Sequence, residues 1–337
     1  MLSKFLQLFT VATALDLDPL PPGREKILYN VTFDGLGTGT GFIDTVYPNV
    51  VQLYGVPYAY PPINERRFRV PKLMDSWSGT LDFGTYKPMC LQFLFDAEVL
   101  AAEDCLYVNI YAPKDAIENP DAKYPVMVYF HGGLYFFGGN GWRDAHGTIL
   151  AERQNMIFVS VGYRLGVFGF AHNSEFMNED GVMGNWGSLD QRMAMLWVNK
   201  YIHNIGGDPT RVTLGGCSAG GQSTMVHLTS PDSWPYFSRI VDFSGPNGIP
   251  YKNISEAETL NTEFFRRAGC CKESTCKLAD IECLRSKTVT EIQRAAWGLF
   301  VLELDVCRFQ LKNSDTKLKF VGSAEGYTIW RIVLSRN

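Results

Sequence analysis

Ser218 stands in Gly216-Cys217-Ser218-Ala219-Gly220, a G-x-S-x-G pattern of the kind that carries nucleophilic acyl transfer. The chemistry needs a hydroxyl presented on a tight turn between a strand and a helix. Gly216 and Gly220 fall where a side chain would collide with neighbouring backbone, and the serine is lifted above the sheet. The helix that follows aims its free N–H groups and its positive dipole end at the same point. A second glycine element, His131-Gly132-Gly133-Leu134, closes an earlier apolar run, and its backbone N–H groups can join that of Ala219 in an oxyanion hole. Gly132, Gly133, Leu134 and Ala219 are therefore the candidate donors. A third glycine is usual where Leu134 stands. Leucine still supplies an N–H, but where the position needs a positive φ its Cβ costs about 1 kcal/mol or more.

A serine on such an elbow is followed in chain order by an acid and then a histidine. The chain has five histidines, at 131, 146, 172, 203 and 227, and none after residue 227. His227 lies nine residues beyond Ser218 on one expected helix, about 13 Å along its axis and out of reach of the hydroxyl. His131, at the oxyanion loop, is assigned a structural role. Without a base the serine is a weak nucleophile near neutral pH. Cys217 reads as a buried free thiol and not as a second nucleophile.

The elements that must position these residues follow from patterning. Val126–Phe130 is a β-rich run stopped by two glycines, and Met156–Tyr163 is an apolar run suited to a central strand. A helix is expected from about Leu189 to His203, where Leu189, Met193, Leu196, Trp197 and Ile202 recur at helical spacing. The Gly206-Gly207-Asp208-Pro209 stretch breaks it, Arg211–Leu214 is a short strand, and a second helix runs from Ala219 to about Leu228. Strands alternating with helices predict an α/β fold with a mostly parallel central sheet and helices on both faces. Gly55-Val56-Pro57 and Pro61-Pro62 predict irregular N-terminal structure laid over that sheet.

Composition narrows the partners. A chain of 337 residues, 46% hydrophobic, can bury a large core, and a net charge of -4 without a basic run gives no electrostatic reason for nucleic-acid binding. A small molecule is the expected partner. The four cysteines at 270, 271, 276 and 283 lack paired C-x2-C spacing and a nearby histidine, so neither a metal nor another cofactor is expected.

With these motifs in place, the chain resembles the type B carboxylesterase and cholinesterase family of α/β hydrolases. The stretches that carry the likeness are YGVPYAYPP (54 to 62), RRFRVP (66 to 71), AEDCLYVNIYAP (102 to 113), VGYRLGVFGF (161 to 170), GNWGSLDQRMAMLWV (184 to 198), GGDPTRVTLGGCSAGG (206 to 221) and HLTSPDSWPYFSRIVDFSG (227 to 245), spread over residues 35 to 300. The resemblance implies the α/β-hydrolase fold with its C-terminal part incomplete, and Ser218 as nucleophile. Gly132, Gly133 and Ala219 become oxyanion donors, with Leu134 in the fourth place. FVGSAEG (320 to 326) is similar to the segment carrying the acidic triad member, which makes Glu325 the acid. Cys90 and Cys105 match an early family disulfide. Cys283 matches the second half of the next one, with Cys271 or its neighbour Cys270 as partner. Arg67 with Glu103 and Arg164 with Asp190 match scaffold ion pairs.

Residues 1 to 14, MLSKFLQLFTVATA, read as a secretory signal peptide ending in an A-x-A site, with the partial hydrolase domain occupying 15 to 337. No stretch reaches the roughly 20 apolar residues of a spanning helix. Asn30-Val31-Thr32 and Asn253-Ile254-Ser255 are glycosylation sequons compatible with secretion. The expectation is a secreted carboxylic ester hydrolase acting through a serine acyl-enzyme, with the triad histidine absent from these residues. The loop between Cys90 and Cys105 has Phe93 and Phe95 but no Trp, which favours general carboxylic esters over choline esters. The alternative is a non-catalytic relative that resembles the neuroligin and glutactin adhesion proteins and binds partners through its surface.

Overall fold

The computed structural model describes residues 25–92, 101–248, 251–297 and 299. The leader-like residues 1 to 14, Phe93, Phe95 and Glu325 lie outside the described residues. The strands are β1 (Lys26–Phe33), β2 (Gly37–Asp44), β3 (Tyr47–Pro57), β4 (Thr80–Asp82), β5 (Met89–Cys90), β6 (Ala101–Ala102), β7 (Tyr107–Pro113), β8 (Tyr124–Phe130), β9 (Ile157–Val161), β10 (Gly207–Cys217) and β11 (Arg239–Phe243). The main sheet has the order β1-β2-β3-β7-β9-β8-β10-β11, with β4 beside β2. The pairs β9-β8, β8-β10 and β10-β11 are parallel and carry the two glycine motifs. The antiparallel pairs lie toward the N-terminal edge.

Side-chain alternation sorts the central strands onto two cores. Val108, Ile110, Val126, Val128, Phe130, Ile157, Val159 and Val161 join one buried cluster. Tyr111, Tyr129 and Phe158 from the same strands point into another. Helix α1 (Thr148–Gln154) covers the second face through Ala151. Helices α2 (Trp186–Tyr201) and α3 (Ala219–Leu228) cover the first through Ala194, Met195, Trp197, Val198 and Ala219. This is the α/β arrangement expected from the alternating pattern.

Two local expectations change. Gly55-Val56-Pro57 does not lie over the sheet but completes β3 within it. The register against β7 shifts between Leu53 and Val56, and Gly55 absorbs that bulge at φ 70 while donating its N–H to Asn109 Oδ1 at 2.8 Å. Strand β10 also starts earlier than Arg211, because Gly207 pairs with Tyr124 before a register shift.

After β11 come α4 (Ile254–Ala268), α5 (Ile281–Ser286) and α6 (Val289–Ala296). Asn253 with Glu256 and Thr288 with Glu291 form capping boxes that start α4 and α6. Disulfides join Cys90 to Cys105, Cys270 to Cys283 and Cys271 to Cys276. Cys271 is therefore not the partner of Cys283. Cys270 closes the end of α4 with its N–H on Phe265 O at 3.0 Å, and Cys271 forms a bridge with Ala279. Cys270 is fully buried, and its carbonyl accepts from Asp280 N at 3.0 Å, which sets it beside the start of α5. Cys271 is half-buried against the same core and closes the short loop to Cys276.

Both implied ion pairs form. Arg67 meets Glu103 at 2.5 and 2.6 Å and spends Nη1 on the carbonyls of Arg285 and Lys287 at the end of α5. Arg164, just beyond β9, meets Asp190 of α2 through Nε at 2.8 Å and Nη2 at 2.7 Å, with its backbone N–H at 3.0 Å. Both side chains of the second pair are buried, so removing one partner strands the other charge. Asp190→Ala is expected to lower the unfolding free energy by about 3–5 kcal/mol, and the apolar pair Arg164→Met with Asp190→Leu to cost far less. Urea denaturation of the two variants checks this, and equal losses would contradict it.

Candidate active site

Ser218 occupies the junction of β10 and α3 with φ 56 and ψ -119, a sparsely populated backbone conformation. Its N–H donates to Phe243 O at 2.9 Å, and its carbonyl accepts from Gln222 N at 2.9 Å. The turn is thus held from the neighbouring strand and from the first turn of the helix. A Cβ on Gly220 would lie 1.9 Å from Phe130 O, so only glycine lets α3 seat on the end of β8. That seating brings the second motif to the serine. A Cβ on Gly132 would lie 3.3 Å from Ser218 Cβ and 2.8 Å from Cys217 O.

In a trans peptide the carbonyl and the next residue's N–H point in opposite directions, so a contact that holds the carbonyl aims the N–H. All four candidate donors are aimed in this way. The Gly132 N–H shares a peptide with His131 O, which accepts from Tyr163 OH at 2.7 Å. The Gly133 N–H shares one with Gly132 O, which accepts from His131 Nδ1 at 2.8 Å. The Leu134 N–H shares one with Gly133 O, bound by Phe136 N at 2.9 Å and Phe137 N at 3.0 Å. The Ala219 N–H shares one with Ser218 O. Leu134 does adopt the strained left-handed form, at φ 57, with its side chain 41% exposed.

Three of the histidines, His131, His227 and His146, are committed elsewhere. His131 stacks on Tyr163 at 4.3 Å, and burial lowers its pKa to about 4 despite the bond to Gly132 O. His227 meets Ser233 Oγ at 3.0 Å and Gln191 Oε1 at 3.1 Å, and burial, reinforced by Arg192, lowers its pKa to about 3. Gln191 Nε2 continues to Ser223 Oγ, which Tyr135 OH also reaches, so His227 anchors a buried network under α3. His146 bonds Tyr54 and Thr148. Cys217 is a free thiol, half-buried and not fully buried. Burial pushes the thiol up, with Asp144 and Asp242 adding to the effect, so it stays protonated near neutrality and is a poor nucleophile.

The chain matches the carboxylesterase family over residues 35–328. It belongs to that family. Liver carboxylesterase 1 of Oryctolagus cuniculus is 35% identical over 271 residues, covering 76% of this chain and 46% of that protein. Acylcarnitine hydrolase of Rattus norvegicus is 37% identical over 251 residues, covering 71% and 43%. The solved carboxylesterase of Geobacillus stearothermophilus superposes with TM-score 0.73 at 31% identity, covering 82% of this chain and 55% of that one. A solved PNB esterase gives TM-score 0.70 at 32% identity, with 82% and 55% covered. This carboxylesterase-family chain thus has the α/β-hydrolase fold and spans about half the length of the curated relatives it matches.

Several contributors to the family's elbow architecture went unread in the sequence. Asp242 accepts from Gly245 N at 2.7 Å and Asn247 Nδ2 at 2.5 Å, bracing the turn after β11. Tyr163 and Asp242 do fall inside matching stretches, but nothing in their spacing announces a contact with a carbonyl or a turn.

The buried histidines predict an acid-sensitive fold. Each is neutral when folded and titrates near 6.5 when unfolded, so its stabilisation is complete above pH 6.5 and is lost as pH falls toward the folded pKa. Between pH 6.5 and about 5 the unfolding free energy is expected to drop by about 1.4 kcal/mol per pH unit for each of His131 and His227. His227→Gln should remove its share of that slope in urea titrations across the window, and an unchanged slope would contradict the buried neutral state.

Proposed function

We propose that this chain carries the nucleophile and oxyanion half of a secreted serine hydrolase of small carboxylic esters. One observation carries the reading: Ser218 sits strained at the head of α3 against Gly132, beside four peptides whose carbonyls are all held. Ser218 Oγ attacks the ester carbonyl carbon while its proton passes to a base. The carbonyl oxygen becomes an oxyanion facing the N–H groups of Gly132, Gly133, Leu134 and Ala219. Collapse of the tetrahedral intermediate expels the alcohol, which takes up the proton, and water then attacks the acyl-serine to release the acid and restore Ser218.

Glu325 serves as the acid of the triad in this reading. His131, His146 and His227 are engaged as described and are not assigned as the base. In this reading the base is not assigned to a described residue, and residues 15 to 337, which span about half the length of the curated relatives, form part of a larger hydrolase domain. Secretion is supported by the leader-like 1 to 14, by three disulfides, which persist in oxidising compartments, and by the exposure of Asn30 and Asn253 as glycosylation acceptors.

The longest expressed form is expected to turn over p-nitrophenyl acetate. Ser218→Ala should cut that turnover at least a thousandfold, since loss of the serine costs about 10⁶ in a serine protease of another fold. Turnover that survives Ser218→Ala would remove Ser218 from the mechanism. Absence of turnover in both forms would favour the adhesion-type reading.

A further inference from the structure

The oxyanion loop closes on Gly138, and Gly138 is gripped by a side chain from a distant segment. Gln92 Nε2 donates to Gly138 O at 2.7 Å, and Gly138 N donates to Gln92 Oε1 at 3.0 Å. One amide therefore satisfies both backbone groups of one residue, as a neighbouring strand would. Gln92 is 3% exposed, and its Nε2 also reaches Cys90 O at 3.2 Å. Its own carbonyl accepts from Gln293 Nε2 of α6 at 3.4 Å. The Cys90–Cys105 disulfide, two residues away, ties this segment to the loop that leads into β7.

Gly138 in turn backs the donors. A Cβ there would lie 2.4 Å from Gly132 O and 2.4 Å from His131 Nδ1. Its backbone, at φ 113, is thus packed against the very bond that aims the Gly133 N–H. If Gly138 moves away, Gly132 O and the His131 ring gain room to rotate, and the Gly133 N–H turns with them.

We propose that Gln92 is a positioning residue for the oxyanion hole, acting through Gly138 to hold the Gly132-Gly133 peptide in its donor orientation. The proposal rests on the serine-hydrolase reading for its catalytic consequence, but its structural content is independent of that reading. The atoms involved do not include substrate. Loss of the clamp should therefore weaken stabilisation of the oxyanion and leave ground-state binding nearly unchanged.

Gln92→Met keeps the side-chain length and removes both hydrogen bonds to Gly138, and Gln92→Glu keeps the acceptor but sets a carboxylate against Gly138 O. Both are expected to lower kcat for p-nitrophenyl acetate roughly tenfold or more with KM within about twofold. Both should also speed hydrogen–deuterium exchange in residues 131–142, with Gly138 itself the most affected, while exchange in β9 and α2 stays as in the parent. A drop in thermal stability with unchanged kcat and unchanged loop exchange would overturn the proposal and leave Gln92 a packing residue. If the longest expressed form turns over no ester, the hydrolase reading fails and exchange alone decides: faster loop exchange in both variants supports the clamp, and unchanged exchange refutes it.

Discussion

The constraint on which the site depends is the seating of α3 on the end of β8. Gly220 comes so close to the Phe130 carbonyl that any side chain there would push the helix off the sheet. Seated, the helix places its first N–H groups beside the loop that leaves β8, and the strand β10 reaches it only by turning sharply at Ser218. The strain of that turn, of order 1–3 kcal/mol, is borne because Phe243, Gln222 and the parallel strands over-determine the backbone. The serine is half-buried at the turn, pushed up by the crowding beneath it.

The polar groups near the site follow one logic. Each is spent on orienting backbone or on joining segments remote in sequence. Tyr163 holds the His131 carbonyl while its ring stacks on the His131 imidazole. Arg164, the next residue, turns to Asp190 and fixes α2 against the end of β9. Arg67 divides its donors between Glu103 and the last carbonyls of α5, so the disulfide-closed loop and the C-terminal helices share one anchor. Buried ion pairs contribute little net stability against apolar replacements, but a half-pair is costly, so these arginines exclude packings that would separate their partners.

The α/β architecture was legible because β8 and β9 are bounded apolar runs and because the periodicity of α2 is helical over four turns. Helix α3 was placed residue for residue, since the glycines before it and Leu228 at its end mark both limits. Ser218, Gly132, Gly133, Leu134 and Ala219 could be named as candidates because the elbow and the loop are local motifs, and the structure packs Gly132 against Ser218. Three things were not legible. The bulge that returns Gly55 to β3 depends on Asn109, a residue of another strand. The choice of Cys270 over Cys271 depends on the bond from Asp280 N to Cys270 O, which sets Cys270 beside the start of α5, a contact that spacing does not announce. Gln92 and Gly138 are 46 residues apart, and no pattern in either segment announces their contact.

In the proposed hydrolase reading, the division of labour between the donors and a base can be put in energies. An oxyanion donor is worth about 2.7–4 kcal/mol of barrier, and a triad histidine in another serine hydrolase about 8 kcal/mol. Donors act without a base, because they are aimed before substrate arrives and cost no reorganisation when charge develops. The base does not act without donors, since a serine made nucleophilic would still have to place its oxyanion in a low-dielectric cleft. Preorganisation is therefore the part that a folded sheet and its loops must supply, and it is the part concentrated here, in β8, β10, α3 and the segment from His131 to Gly138. A base needs only to reach Ser218 Oγ, whereas the donor array needs the sheet, the elbow and the clamp at Gly138 to be in register at once.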